Sequence, residues 1–231
     1  MGGYIELKDV QKEFILGDNV IKAVSGIDLS VEKGERLRIS GRSGSGKSTL
    51  LNLMAGLEKT TSGQIIIDGN RIDQMNERDR IRYRRKTIGF IFQSYNLLPQ
   101  YTALENVALP LVLRGIAPKK RIEMAKEIME QVGIYSHAKH KPNEMSGGQQ
   151  QRVGIARALI TSPPIVFADE PTGNLDTKTS QEVMELLTKL FIQRGTTFVL
   201  VSHDEGIQDY TTRTIYLEDG RIINFSKEES N

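Results

Sequence analysis

Apolar and polar positions divide this chain into segments of two periods. Residues 4–10 and 20–31 read as short strands on either side of a Gly-Asp-Asn turn at 17–19. Residues 35–40 (ERLRIS) form another strand that runs into a glycine-rich loop. Residues 47–57 carry Leu50, Leu51, Leu53 and Met54 on apolar faces and predict a helix, and residues 64–68 (QIIID), closed by Gly69, predict a strand. The period then changes. Over 102–132, Ile122, Ala125, Ile128, Met129 and Val132 recur at spacings of three and four, which is helical, and a further helix is predicted from 147 to 160. Two unbroken apolar runs, 165–168 and 198–201, suit strands buried on both faces of a parallel sheet. Between them Val183, Leu186, Leu187, Leu190 and Phe191 mark one side of an amphipathic helix. Strand, helix, strand predicts a right-handed parallel crossover. The fold class is α/β, with a mainly helical insertion over about 94–162 and no internal repeat.

Composition narrows the picture without changing it. The 231 residues fit one domain, with room for two lobes, and 38% hydrophobic with 26% charged residues is ordinary for a globular chain. A net charge of +2 is too small to mark a nucleic-acid binder, so no such partner is expected. With no cysteine, disulfides and thiolate metal sites are excluded, in keeping with a reducing cytoplasm. No apolar run approaches the roughly 20 residues that span a bilayer. The start, MGGYIELKDV, lacks the basic and apolar regions of a secretory signal. Gly2-Gly3 opens like a myristoylation motif, but position 6 is Glu rather than Ser or Thr.

Three motifs carry chemistry. Residues 41–48, GRSGSGKS, match G-x-x-x-x-G-K-[ST] between a predicted strand and a predicted helix. Glycines let backbone N–H groups turn toward phosphate oxygens, and the helix N-terminus behind them adds positive partial charge. Lys47 can reach β- and γ-phosphates and the Ser48 hydroxyl can ligate Mg²⁺. Residues 165–170, IVFADE, end an apolar strand in carboxylates: Asp169 is placed for a hard cation, often through water, and Glu170 to polarise an attacking water. Residues 145–152, MSGGQQQR, offer Ser146 as an N-cap and Gly147-Gly148 for close backbone approach. This is a second anion-binding helix start, which one bound nucleotide does not obviously need. A loop of this kind could instead close over a nucleotide held by another copy.

In this order the three motifs resemble the nucleotide-binding subunits of ABC transporters. Gln93 after the strand IGFIF resembles the Q-loop glutamine, GNLD at 173–176 the D-loop, and His203 in VSHD the switch histidine. Phe14 stands where the family places an aromatic ring on adenine; Tyr is commoner there, as Leu is at Met145. The resemblance spans residues 4 to about 224. Residues 93–113 and ADEPTGNLD further resemble the branch of lipoprotein-release, macrolide-export, cell-division and antimicrobial-peptide-resistance ABC ATPases. It implies a P-loop NTPase core (1–93 and 163–231) with a mainly parallel sheet, an N-terminal antiparallel β part and a helical subdomain over 94–162. It implies ATP and Mg²⁺ as cofactors, with the nucleotide held by Phe14, Gly41, Arg42, Ser43, Gly44, Ser45, Gly46, Lys47, Ser48 and Thr49 of one copy. Ser146, Gly147, Gly148 and Gln149 of the other copy would complete the site in a head-to-tail, ATP-dependent homodimer. Mg²⁺ would be met by Ser48 and Gln93, and by Asp169 through water; Glu170, His203, Gln93 and Lys47 would carry catalysis. The subunit would sit on the inner face of the cell membrane against permease partners.

Blander readings stand beside these. His203 is otherwise a core histidine, and His137 and His140 lie in a polar loop with Lys139 and Lys141 and read as solvated. The basic run from 78 to 86 is a solvated helix face or a surface for lipid headgroups. Tyr95, Leu97, Leu98 and Tyr101 form either an exposed apolar docking patch or ordinary core under the insertion. Two further functions remain open: a soluble ATPase of this type acting on DNA or ribosomes, and a nucleotide switch without catalysis, against which Glu170 and His203 argue.

Overall fold

The computed structural model describes residues 3–227; Gly2, weighed above for acylation, lies outside them. Strands β1 (Ile5–Leu16) and β2 (Asn19–Val31) form an antiparallel hairpin with Leu16 opposite Asn19. It is longer than the sequence suggested because its outer half, with Ile15, Leu16, Val20 and Ile21, is exposed and lacks a buried face to mark it. The turn is only Gly17 and Asp18, with Gly17 at φ 61°. Next come β3 (Arg36–Gly41), helix α1 (Lys47–Met54), β4 (Ser62–Ile67) and the short β5 (Asn70–Arg71). The helix stops before residue 57 because the chain turns at Gly56, at φ 63°. The basic run is α2 (Glu77–Thr87), capped by the Asn76 side chain on the Asp79 amide, and leads into β6 (Ile88–Phe92).

The segment 102–132 is two helices, α3 (Ala103–Leu113) and α4 (Pro118–Gln131). Gly115, at φ 71°, breaks the run, and Pro118 starts the second helix at a position where no amide donor is needed. Then follow α5 (Gly147–Leu159), β7 (Ile165–Asp169), α6 (Thr177–Arg194) and β8 (Thr197–Val201). The final hairpin, β9 (Arg213–Glu218) and β10 (Arg221–Lys227), was not foreseen. Strands β2-β1-β4-β5 make an antiparallel sheet; β10-β9-β3-β8-β7-β6 make a second, parallel except for β10.

The parallel sheet separates two cores. In β7, Ile165 and Phe167 join Leu50, Leu51, Leu53 and Met54 of α1 and the inward face of the antiparallel sheet. Val166 and Ala168 face the opposite way, into a core built by α3, α4, α5 and α6. In β8, Val199 and Val201 take the first side and Phe198 and Leu200 the second. This two-sided burial is why both strands read as continuous apolar runs. Each fully buried aliphatic side chain contributes about 1.5–3 kcal/mol. That rigidity holds the C-terminal ends of β3, β7 and β8, and hence Gly41, Asp169 and His203, in fixed relation.

Candidate nucleotide site

The loop after β3 is shaped by two glycines. Gly41 has φ 148° and a Cβ there would lie 2.3 Å from the Leu217 carbonyl oxygen. Gly46 has φ 99°, and its Cβ would lie 2.1 Å from the Ala23 carbonyl oxygen. No larger residue fits either position, so the loop packs against β2 and β9 only as glycine. Lys47 is 9% exposed, and its Nζ donates to the carbonyls of Gly41 (2.8 Å) and Arg42 (2.7 Å) inside the loop. The first helical turn of α1 lies directly behind.

The Ser48 hydroxyl donates to Asp169 Oδ1 at 3.0 Å, joining the phosphate loop to the end of β7. Burial pushes the Asp169 carboxyl up; the Glu170 charge adds to this, while the Ser48 hydrogen bond and Lys47 oppose it. A carboxylate held in that environment gains from a nearby cation, and oxygen-only donors suit Mg²⁺. Among the described residues no group of three or more His, Asp or Glu could form an all-protein metal cage. The donors present therefore fit an ion that keeps water and phosphate oxygens as its other ligands.

Glu170 follows at φ 47°, a left-handed backbone rare for a residue with a Cβ. Its amide donates to the Val201 carbonyl at 3.0 Å, and its Oε1 lies 2.8 Å from His203 Nδ1. His203 is well exposed and Glu170 mostly covered, with side-chain exposures of 71% and 15%. His203 is thus an exposed partner of the carboxylate and not a core residue.

Gly41, Arg42, Ser43, Gly44, Gly46, Lys47, Ser48 and Thr49 share one cleft with Gln93, Asp169, Glu170 and His203. It has a volume of about 660 Å³, within the range of small-molecule sites. Ser45 is buried beneath the loop instead, its amide bonded to the Arg42 carbonyl and its carbonyl to the Gly220 amide. Phe14 does not line the cleft. It stands on β1, 36% exposed, with Lys12 Nζ 4.7 Å from its ring centroid, and pairs across the hairpin with Ile21, which does line the cleft.

Ser146, Gly147, Gly148 and Gln149 lie outside this cleft. Ser146 caps α5 and is exposed; its amide donates to Gln149 Oε1 at 2.8 Å and its hydroxyl accepts from the Gln149 amide at 3.4 Å. The Gln149 side-chain Nε2 meets His137 Nε2 at 3.0 Å, so His137 is half-buried and engaged rather than solvated. A Cβ at Gly148 would lie 2.6 Å from a Thr179 methyl, so any larger residue there would have to displace Thr179.

The docking patch splits. Tyr101 is 40% exposed, but Leu97 packs against the helical core and Leu98 is half-buried. In α2, Arg80 and Arg84 share Glu77 and Arg82 pairs with Asp79, so three of the six basic side chains are engaged locally, by two carboxylates. Sequence reasoning missed the buried Gln151 and Asn106 and the half-buried Arg157; Gln151 and Arg157 meet carbonyls far along the chain, Asn106 carbonyls four to eight residues back.

Comparison with known proteins agrees with this geometry. Residues 24–173 match the family model described as ABC transporter. An uncharacterised ABC transporter ATP-binding protein of Thermotoga maritima is 48% identical over 218 residues, covering 94% of this chain and 93% of that one. The lipoprotein-releasing system ATP-binding protein LolD of Geobacter metallireducens is 43% identical, covering 96% and 99%. Among solved structures, the ATP-binding cassette MJ0796, whose sequence is that of Methanocaldococcus jannaschii, superposes with a TM-score of 0.92 at 42% identity. That match covers 98% of this chain and 100% of the cassette, a dimer in a post-hydrolysis state bound to ADP and Pi. No helix among the described residues is long and apolar enough to cross a membrane. With the phosphate loop, the two carboxylates and the second helix start all in place, this chain belongs to the ATP-binding proteins of the ABC transporter family.

Proposed function

We propose that this chain hydrolyses MgATP as half of a head-to-tail homodimer, and that closure and opening of the dimer drive a membrane permease. One observation carries the reading. A single cleft gathers the phosphate loop, Asp169, Glu170, Gln93 and His203, while the exposed helix start at Ser146 lies outside it on the same chain. A second copy supplies what each cleft lacks. The dimeric state of the similar cassette supports this arrangement.

Within the cleft, the backbone N–H groups of residues 43–48 and the α1 N-terminus receive the phosphates. Lys47 exchanges the Gly41 and Arg42 carbonyls for β/γ-phosphate oxygens. Ser48 and Gln93 would hold Mg²⁺ directly and Asp169 through water; when bound, the ion neutralises charge developing on the phosphoryl oxygens. Glu170 orients the attacking water and takes its proton. His203, hydrogen-bonded to Glu170, keeps the carboxylate aimed and senses the γ-phosphate with Gln93. Phe14, beside Ile21 at the cleft rim, stacks on the base, while Ser146, Gly147, Gly148 and Gln149 close over the partner's nucleotide. ATP binds the closed dimer more tightly, so hydrolysis returns the population to the open state.

Residues 1–93 and 163–231 serve as the catalytic core and 94–162 as the helical subdomain. The permease sits against that subdomain, on an apolar groove of about 430 Å³ lined by Tyr101, Leu104, Ala108, Val112 and Ile122. Likeness to LolD supports an export or lipoprotein-release system, with the subunit peripheral on the cytoplasmic face. The test is Glu170→Gln. Hydrolysis should fall about a hundredfold or more, and gel filtration should show a dimer only with MgATP. A variant with parental turnover, or one monomeric in both conditions, overturns the reading.

A further inference from the structure

Helix α5 carries a fully buried glutamine that the site as described leaves unused. Gln151 is 0% exposed, and its Nε2 donates to the carbonyl of Pro171, the residue directly after Glu170. A carbonyl only accepts, so the amide nitrogen is the end that faces it. The other end, Oε1, is buried without a partner. An unpaired buried amide oxygen costs desolvation free energy, and methionine would fill nearly the same volume without it. Packing therefore does not account for glutamine here; holding the Pro171 carbonyl does.

That carbonyl belongs to a turn under strain. Glu170 is at φ 47°, and such conformations persist only where the surroundings over-determine them. Val201 fixes the turn from one side through the Glu170 amide, and the Gly173 amide closes it on the Glu170 carbonyl at 3.1 Å. Gln151 fixes it from the other side, the side of α5. Arg157 on the same helix treats the Gln93 turn alike, donating to the carbonyls of Tyr95 (2.6 Å) and Asn96 (2.5 Å), both at positive φ. Asn174 adds a bond of 3.0 Å to the Gln93 carbonyl. One rigid helix thus braces the two turns that present Glu170 and Gln93, and its N-terminus is the Ser146 loop, about 7–8 Å along the axis from Gln151.

We propose that Gln151 is a positioning residue for Glu170: it transmits the seating of the partner's nucleotide on the α5 N-terminus to the base of this chain's own cleft. This rests on the reading of Glu170 as the group that orients water. Gln151→Met is the primary test, on the full chain. Its melting temperature and MgATP affinity should match the parent while kcat falls about ten- to a hundredfold, as for a misplaced catalytic group, with KM little changed. Gln151→Glu gives an independent signature. A carboxylate cannot donate to the Pro171 carbonyl but a protonated carboxyl can, so its activity relative to the parent should rise as pH is lowered. Adding Gln151→Met to Glu170→Gln should lower turnover no further, because no base is left to aim. Parental kcat in Gln151→Met overturns the proposal, as does a loss of kcat matched by equal losses of melting temperature and nucleotide affinity. An additive loss in the double variant overturns it too. Failure of the underlying reading shows separately, as full turnover in Glu170→Gln alone.

Discussion

Replacing Asn106 by alanine should loosen the loop between the Gln93 turn and the helical subdomain. Asn106 is fully buried on α3. Its Oδ1 accepts from the Leu98 amide at 2.7 Å; its Nδ2 donates to the carbonyls of Leu98 (3.1 Å), Tyr101 (3.2 Å) and Thr102 (3.0 Å). Alanine removes all four bonds, but the losses are unequal. Leu98 and Thr102 are half-buried and Tyr101 is exposed, so their carbonyls can regain water, and the Thr102 carbonyl keeps the Asn106 amide. The Leu98 amide, turned inward, keeps most of its desolvation cost, about 1–3 kcal/mol. A small unfilled volume adds about 1 kcal/mol. The sum is roughly 2–4 kcal/mol, or a fall of roughly 5–15 °C in melting midpoint for a chain of this size. Aspartate is the sharper probe. It keeps the Leu98 contact but turns a carboxylate toward three carbonyls, so at neutral pH it should be worse than alanine and recover as acid protonates it. Thermal unfolding across pH and hydrogen exchange at the Leu98 amide read both effects. Alanine within about 0.5 kcal/mol of the parent, the scale of a bland surface change, would refute the reasoning. So would an aspartate variant that is most stable at neutral pH.

Other expectations follow from the same geometry. Lys47→Ala should lose tight MgATP binding or hydrolysis, and mixing it with a Ser146→Arg chain should restore activity by forming one intact composite site per heterodimer; activity independent of protein concentration would exclude a shared site. Thr102 and Glu105 form a reciprocal cap on α3, so Thr102→Ala should cost about 1 kcal/mol by denaturant titration. The Thr102 amide and hydroxyl hold the Glu105 carboxyl below its ordinary range, so the carboxylate's share of the cap is present above the unfolded value and lost as pH falls through the folded one, while the hydroxyl's bond from the Glu105 amide does not titrate; the gap to Thr102→Ala should narrow in acid without closing. Tyr101→Asp with Ile122→Asp, both exposed in the parent, should leave basal ATPase nearly unchanged and weaken association with permease-bearing membranes; a lost fold would assign them to the core instead.

What was legible in the sequence was whatever depends on neighbours along the chain. The phosphate loop, the strand ending in Asp169 and the buried β7 and β8 all declare themselves within about ten residues. The helical character of 102–132 was legible, and the break between α3 and α4 was also written locally, in Gly115 and Pro118, but the spacing from Ile122 to Val132 says nothing about where one helix ends and the next begins. The hairpin of β9 and β10 had its own mark: Asp219 and Gly220, at φ 47° and 74°, form a two-residue turn between Glu218 and Arg221. Asn106 meets carbonyls only four to eight residues back, but its full burial shows only in the fold; Gln151 could not be read, because a buried amide looks like any surface amide until its distant carbonyl is known. His137 was misread for the same reason, its partner Gln149 being brought near only by the fold.

The register of β7 against β8 sets which changes of length the chain can absorb. Asp169 lies opposite Val201 in parallel strands, so Glu170 and His203 leave adjacent strands at one level. The 18 residues of α6 merely return the chain to the sheet, and whole turns could be added at its far end or in the following loop without moving either side chain. One residue inserted within β8 is a different event. It would slide His203 about 3.3 Å along the sheet and turn alternate side chains to the opposite core. Tolerance to insertion should therefore be high along the connection and nearly absent in five residues of strand, a contrast that no ranking of residues by chemistry would reveal.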